Sequence, residues 1–230
     1  MVLKVLGSSS SGNCYILESD TEALIIETGL PFMEVKKALN FNVRKVVGVV
    51  VSHSHGDHSK YIWEYEKAGI KVFKPYDICN GNADSMGWPH SGKFYVKAFK
   101  LVHDVPCYGF YITHPDIGNL IYASDTEYIK YRFKNLNHIL VEANYSDDLI
   151  EQDAVNREHI LWGHMSLQTA LNFISTNDNP ALKNVVLLHL SDKNSDSEKF
   201  LQKTKETVKY GADCYIAEKG LAVDLNLIPF

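Results

Sequence analysis

No apolar stretch in this chain of 230 residues approaches the ~18 consecutive apolar residues that a membrane-crossing helix needs. The opening Met1-Val2-Leu3-Lys4-Val5-Leu6 turns polar too soon for the core of a secretory leader. The sequence therefore predicts a soluble, cytoplasmic protein with no membrane partner. Cysteine is scarce. Cys14, Cys79, Cys107 and Cys214 form no C-x-x-C pair, which argues against zinc-knuckle and thioredoxin-type sites and suits free thiols in a reducing compartment. Excess positive charge is missing too: 23 Lys and Arg against 28 Asp and Glu leave a net charge of −5. A protein that coats nucleic acid by bulk charge alone is excluded, although a local basic patch is not. The densest lysine run, 193–209, is interleaved with Asp196, Glu198 and Glu206 and reads as a solvated helix face. Neither an internal repeat nor a long linker is visible, and one domain spanning 1–230 is expected.

With 45% apolar and 22% charged residues, the composition is that of a globular protein. Short apolar runs at 3–6, 14–18 and 23–27 are separated by turns, a spacing that suits antiparallel neighbours. Helical spacing follows over 31–39. Then 46–51 is a continuous β-branched run, the pattern of a strand buried on both faces. A helix is predicted over 60–68, ended by Gly69. Further strands are predicted at 70–73, 94–102, 108–113 and 119–123, with buried strands at 138–142 and 185–190. Helices fit 167–175 and 197–210, and a last hairpin fits 214–217 with 221–224 around Lys219-Gly220. The stretch 81–92 looks least structured. An α+β chain of two packed sheets with helices outside accommodates this order.

Chemistry concentrates at the end of the run 46–51, in Ser52-His53-Ser54-His55-Gly56-Asp57-His58. In an extended segment His53 and His55 point to the same side and can share one metal. Gly56 permits a sharp turn that carries Asp57 and His58 to a second position. Three more ligand-type residues, His103, Asp125 and His189, each stand at or just past the end of a predicted strand. Strand ends gathered at one edge of a core are where ligands bind. Imidazole and carboxylate donors without thiolate suit Zn²⁺ or Mn²⁺. Glu142 ends a buried strand, where an unpaired carboxylate is costly, and His164 is a candidate partner. Ser166 suits the N-cap of the helix starting at Leu167. Ser8–Ser11 offers backbone N–H groups to a phosphate.

These motifs resemble those of metallo-β-lactamase-fold hydrolases, nearest the YycJ (WalJ)-like branch, with features of ribonuclease Z. The resemblance is carried by Gly7-Ser8-Ser9-Ser10-Ser11-Gly12-Asn13-Cys14, the H-x-H-x-D-H signature from His53 to His58, Val102-His103-Asp104, Ser124-Asp125-Thr126, Gly163-His164-Met165-Ser166 and Leu188-His189-Leu190-Ser191. It implies an αββα sandwich holding two divalent ions, Zn²⁺ or Mn²⁺. His53, His55 and His103 would hold one and Asp57, His58 and His189 the other, with Asp125 bridging. It further implies Asp57 and Asp125 as catalytic residues that orient a metal-bridging hydroxide, and His164 as general acid. Substrate contacts fall to Ser166, Ser9 and Asn144, and a homodimer is common among such enzymes. Two departures stand out. Glu27 occupies a position usually held by Asp, and Ser124 one usually held by Gly. No exosite insertion of the ribonuclease Z kind is present.

The fold hosts many reactions. His55 stands where diiron oxygen reductases carry Glu, and Asp125 where the commonest lactamases carry Cys. His164 points instead to phosphodiester hydrolysis, because a nearby imidazolium can protonate a leaving alkoxide. The reading is a two-metal phosphodiesterase acting on nucleotide or nucleic-acid substrates, with a DNA or RNA nuclease favoured. A cyclic mononucleotide phosphodiesterase of the phage anti-immune type is the competitor. A thioester or lactone hydrolase on the same metals is a second class, and a non-catalytic binding module a third.

Overall fold

The computed structural model describes residues 1–78, 83–150 and 161–228, the side chains of 89 and 90 excepted. Two sheets are stacked face to face. The first has the order β13-β1-β2-β3-β4-β5, the second β12-β11-β10-β9-β8-β7-β6. In chain order, β1 is Val2–Gly7, β2 Cys14–Glu18, β3 Ala23–Ile26, β4 Val46–Val50, β5 Val72–Phe73, β6 Ser85–Ser91 and β7 Phe94–Lys100. Next come β8 (Tyr108–His114), β9 (Gly118–Ala123), β10 (His138–Glu142), β11 (Asn184–Leu188), β12 (Asp213–Ile216) and β13 (Ala222–Asp224). The helices among the described residues include α1 Phe32–Ala38, α2 Gly56–Ser59, α3 Ile62–Lys67, α4 Pro75–Ile78, α5 Leu167–Asn177 and α6 Ser197–Thr207.

Alternation of side chains along the strands sends one set inward and the other outward. Leu3, Val5, Leu17, Leu24 and Ile26 of the first sheet meet Val96, Phe110, Tyr122, Leu140 and Val186 of the second in the central core. The opposite set on the second sheet, including Ile139, Val141 and Val185, packs under α5 and α6 through Leu167, Ile174 and Phe200. On the first sheet, Ile16, Ile25 and Val49 take up Phe32 and Val35 of α1 and Tyr65 of α3. The result is the four-layer αββα order anticipated from the motifs.

Strands β1, β2 and β3 are antiparallel neighbours, as their short turns require. Parallel pairing begins with β3 and β4, joined through α1, and recurs where β10 pairs with β9 on one side and with β11 on the other. Parallel strands end at the same edge. That topology carries the residues after β3, β4, β9, β10 and β11 to a common rim.

Three sequence expectations change. The predicted final hairpin does not form: β12 pairs parallel with β11 in the second sheet, whereas β13 pairs with β1 in the first. Lys219-Gly220 thus crosses between layers instead of turning back on one. The stretch 81–92 contains β6, an edge strand paired antiparallel with β7; residues 79–82, with Cys79, lie outside the described ones. The helix predicted over 60–68 is split, with α2 opening already at Gly56 and α3 following. The described cysteines Cys14, Cys107 and Cys214 are free and buried. Among the described residues no helix is long and apolar enough to cross a membrane.

Candidate metal centre

The rim gathers all seven sequence-predicted ligand residues. His53 and His55 follow β4, and His103 follows β7. Asp125 follows β9, and His189 follows β11. Asp57 and His58 lie in α2, one turn further on. Their donor atoms fall into two groups, each within 4.8 Å: His53, His55, His103 and Asp125, and then Asp57, His58, Asp125 and His189. Asp125 is common to both.

Spacing within these groups suits coordination better than hydrogen bonding. Two atoms bound to one tetrahedral ion at ~2.0–2.1 Å stand about 3.3 Å apart. His58 Nε2 lies 3.3 Å from Asp57 Oδ2 and 3.3 Å from Asp125 Oδ2. His55 Nδ1 and His103 Nε2 are 3.3 Å apart. His53 Nε2 stands 3.7 Å from Asp125 Oδ2, and His189 Nε2 3.7 Å from Asp57 Oδ2. Both of these imidazole nitrogens are buried with no hydrogen-bond partner. A buried polar atom without a partner is costly, and a cation among these donors would satisfy it. The residues present therefore fit a dinuclear divalent site.

Backbone geometry supports the same placement. Glu27, Asp125 and His189, each just beyond a strand end, adopt positive φ of 66°, 53° and 53°. Left-handed backbone is uncommon for any residue but glycine and persists where the surroundings hold it, often at functional sites. Here it turns the three side chains inward at the rim.

A supporting layer orients the donors. Ser52 Oγ holds His53 Nδ1 at 2.8 Å. Glu27, fully buried, accepts from the Ser52 N–H and stands 3.4 Å from His58 Nδ1. The longer Glu thus occupies, beneath the metal loop, the position where Asp is usual. Glu142 Oε1 lies 3.2 Å from His189 Nδ1 and 2.6 Å from His164 Nδ1, while Oε2 accepts from the Thr126 and Met165 N–H groups. The anticipated Glu142–His164 pair is therefore made. Asp125, Glu142, His164 and His189 form a third group of possible ligands. At 2.6 Å the His164–Glu142 contact is too short to bracket an ion and is a charge-assisted hydrogen bond.

Electrostatics follow this wiring. Burial, reinforced by His58, lowers the His53 pKa well below the usual imidazole value, as a neutral ligand requires. Burial opposes the charged form of Asp125, but His189 and His58 outweigh it and hold the carboxyl far down. For His58 burial works against protonation, and the Asp125 and Glu27 carboxylates overcome it, raising the pKa. His164 is likewise opposed by burial and raised by Glu142, to about 9.

Ser166 caps α5, its Oγ accepting from the Thr169 N–H at 3.2 Å. Asn144 is buried, and its amide donates to the His189 carbonyl at 2.8 Å. Ser9 Oγ is engaged with Ser11 Oγ at 2.7 Å. Ser8, expected from the sequence to offer its backbone N–H to a phosphate, instead supports the centre through its side chain, its Oγ accepting from the His189 N–H at 2.9 Å. Sequence reasoning missed the role of Asn13, whose Nδ2 donates to the Ser9 carbonyl and to Asp57 Oδ2 and lies 2.9 Å from His58 Nε2. The serine-rich loop is thus clasped to the donor group of Asp57, His58 and His189. His114 and His138 are buried outside the centre, against Glu22 and the Ile117 carbonyl. His90 and His159 lie outside the described side chains.

Glycine roles divide differently from expectation. Gly56 is not in left-handed backbone, and a Cβ there meets nothing within 4 Å. The turn is made by the start of α2, so the conformational freedom of glycine is unused. Gly29 is the glycine the loop needs: a Cβ would stand 1.7 Å from the Asp57 carbonyl oxygen and 2.6 Å from the Asn13 nitrogen. Gly29→Ala is expected to displace the Asp57 loop and cost about 1–3 kcal/mol of stability, together with metal affinity. Gly56→Ala should leave both nearly unchanged. Urea titration and metal titration of the two variants check this, and equal behaviour would contradict it.

Comparison with known proteins agrees with the geometry. Residues 9–70 match the model of the metallo-beta-lactamase superfamily. The metallo-beta-lactamase fold protein YhfI from Bacillus subtilis superposes with a TM-score of 0.68 at 18% identity, covering 96% of this chain and 98% of that one. Human tRNase Z, short form, gives 0.63 at 16% identity, covering 98% and 99%. Fold and donor set together define a metallo-β-lactamase-fold protein with a His/Asp metal-binding cluster. Within that class the chain is a distant homologue of the YycJ/WalJ exodeoxyribonucleases: it is 24% identical over 246 residues to exodeoxyribonuclease YycJ of Bacillus anthracis, covering 95% of this chain and 90% of the relative.

Proposed function

We propose that this protein is a two-metal phosphodiesterase acting on nucleotide substrates, with a DNA or RNA nuclease as the favoured form. The observation that carries the reading is His164, held at Nδ1 by the buried Glu142 at 2.6 Å, with its ring 5.3 Å from that of His189 and 6.1 Å from that of His103. A histidine tied to a carboxylate beside the donor groups is placed to exchange a proton with a bound substrate.

His53, His55 and His103 would hold one ion, Asp57, His58 and His189 the other, and Asp125 would lie between them. Two ions at such a site polarise a phosphoryl oxygen and lower the pKa of water. The chain supplies the remaining parts. Glu142 sets the ring orientation of His164 and His189 at once, and its charge favours imidazolium at His164. With Nδ1 committed to Glu142, Nε2 is the ring atom that delivers a proton to the departing oxygen. An alkoxide leaving group needs that proton, and general acid catalysis of this kind contributes ~10²–10⁴-fold. Asp57 and Asp125 limit where an attacking oxygen can sit. The distant relationship to exodeoxyribonucleases supports a nucleic-acid substrate.

The acidic net charge keeps the cyclic mononucleotide reading in play, and salt separates the two. Cleavage of single-stranded DNA or RNA by metal-reconstituted protein should weaken steeply as salt rises, because phosphate contacts release counterions. Cleavage of 3′,5′-cyclic mononucleotides, with one phosphate, should depend on salt far less. Efficient salt-insensitive turnover of cyclic nucleotides, with polymer untouched, would replace the nuclease reading.

A further inference from the structure

On the outer face of the second sheet lies a groove of about 380 Å³. Its floor is aromatic: Phe99 of β7, Tyr111 of β8, and Tyr131 and Phe133 from the segment after β9. These rings touch in sequence, Phe99 against Tyr131 and Phe133 at 5.6 and 5.0 Å, and Tyr111 stacked on Phe133 at 6.0 Å. Lys97, Arg132 and Lys134 line the same groove and are exposed. Among the described residues no ion pair to any of the three is found, and the one carboxylate that lines the groove, Asp84, is paired with Lys130 at 3.2 Å. In a chain of net charge −5, three unneutralised cations beside the partly exposed rings of Tyr111, Tyr131 and Phe133 stand out as a local reversal of sign. The larger cavity beside the serine loop carries Asp192 and Glu218 against Lys219 alone, the wrong balance for a polyanion.

Both walls of the groove lead to the metal centre. Strand β7 continues from Lys97 to His103 in six residues, and the opposite wall runs from Asp125 to Tyr131 in six. At ~3.3 Å per extended residue, either path covers at most about 20 Å, a reach of a few nucleotides.

We propose that this groove binds a single strand of nucleic acid whose scissile phosphate lies at the metal centre. Lys97, Arg132 and Lys134 would contact phosphates, and the rings around Tyr131 would stack unpaired bases. A positive groove floored by aromatic rings is the arrangement that holds single strands without sequence preference, since every base has a stacking face. Duplex offers no such face along its length. The proposal rests on the phosphodiesterase reading and selects polymer over cyclic mononucleotide within it.

The test is fluorescence anisotropy of a labelled phosphorothioate oligothymidylate, which resists cleavage, on the metal-loaded protein. Three lysines on or beside the remote helix α6 serve as a charge-matched control. The Lys97→Glu/Arg132→Glu/Lys134→Glu variant should bind at least tenfold more weakly, with a log–log salt slope reduced by about 2. Tyr131→Ala should weaken binding about fivefold or more. Lys203→Glu/Lys205→Glu/Lys209→Glu should change affinity much less. Equal losses in the groove and control variants would show bulk charge alone and overturn the proposal, as would unchanged binding in the groove variant. Steady-state cleavage keeps the two readings apart. With the groove at work, kcat/KM on the natural polymer falls at least tenfold further than on bis-p-nitrophenyl phosphate. If wild-type protein cleaves phosphodiesters and the groove variants show no such difference, the groove proposal fails while the phosphodiesterase reading stands. If no phosphodiester is cleaved while the groove still governs binding, the phosphodiesterase reading fails.

Discussion

Asp125→Ala is expected to remove both ions and abolish turnover. Asp125 is the only residue common to the two donor groups, and it is buried among His53, His58 and His189 at 3.3–3.7 Å. Deleting it withdraws a ligand from each position and leaves three imidazoles facing one another without the carboxylate that balances the metal charge. His53→Ala touches one group alone and should cost one ion first. Elemental analysis of the purified variants should therefore read two equivalents for wild type, fewer for His53→Ala and close to none for Asp125→Ala, with near-native circular dichroism throughout. Stoichiometric metal retained by Asp125→Ala would contradict the bridging assignment.

The second large effect is at His164. His164→Ala should retain both ions, because none of the seven proposed ligands is altered, yet cleavage of an oligonucleotide should fall ~10²–10⁴-fold. The loss must depend on the leaving group. A sugar alkoxide needs a proton as it departs, whereas p-nitrophenolate leaves as a stable anion. On bis-p-nitrophenyl phosphate the same variant should lose far less. Glu142→Gln should show a milder form of this pattern, since it loosens His164 without deleting it. Equal losses on both substrates would make His164 a binding residue instead of a proton donor.

The donor set was legible in the sequence because local and topological signals agree there. His53 to His58 follow a β-branched run within six residues, and His103, Asp125 and His189 each follow a strand. The Glu142–His164 pair was legible from the cost of an uncompensated buried carboxylate. Layer assignment was not. The segments 214–217 and 221–224 carry an ordinary hairpin pattern, but β12 completes the helix-covered second sheet while β13 closes the edge of the first. No local pattern separates these outcomes, because each strand needs only an apolar face to bury. Close approach is equally invisible: Gly29 matters through the Asp57 backbone 28 residues away in sequence, and Ser8 through the His189 N–H. The basic groove escaped notice for a related reason. Lys97, Arg132 and Lys134 are dispersed along the chain, whereas the conspicuous lysine run at 193–209 lies largely on α6, where Lys199 pairs with Asp148.

The measurement that bears most directly on the central claim is a side-by-side turnover assay of the metal-reconstituted protein on single-stranded DNA, RNA, bis-p-nitrophenyl phosphate and a thioester. Cleavage of the phosphodiesters, with the thioester untouched, is the result expected of a two-metal phosphodiesterase. Turnover of the thioester alone, unaffected by His164→Ala, would leave the fold and metal centre in place and assign them to a different reaction.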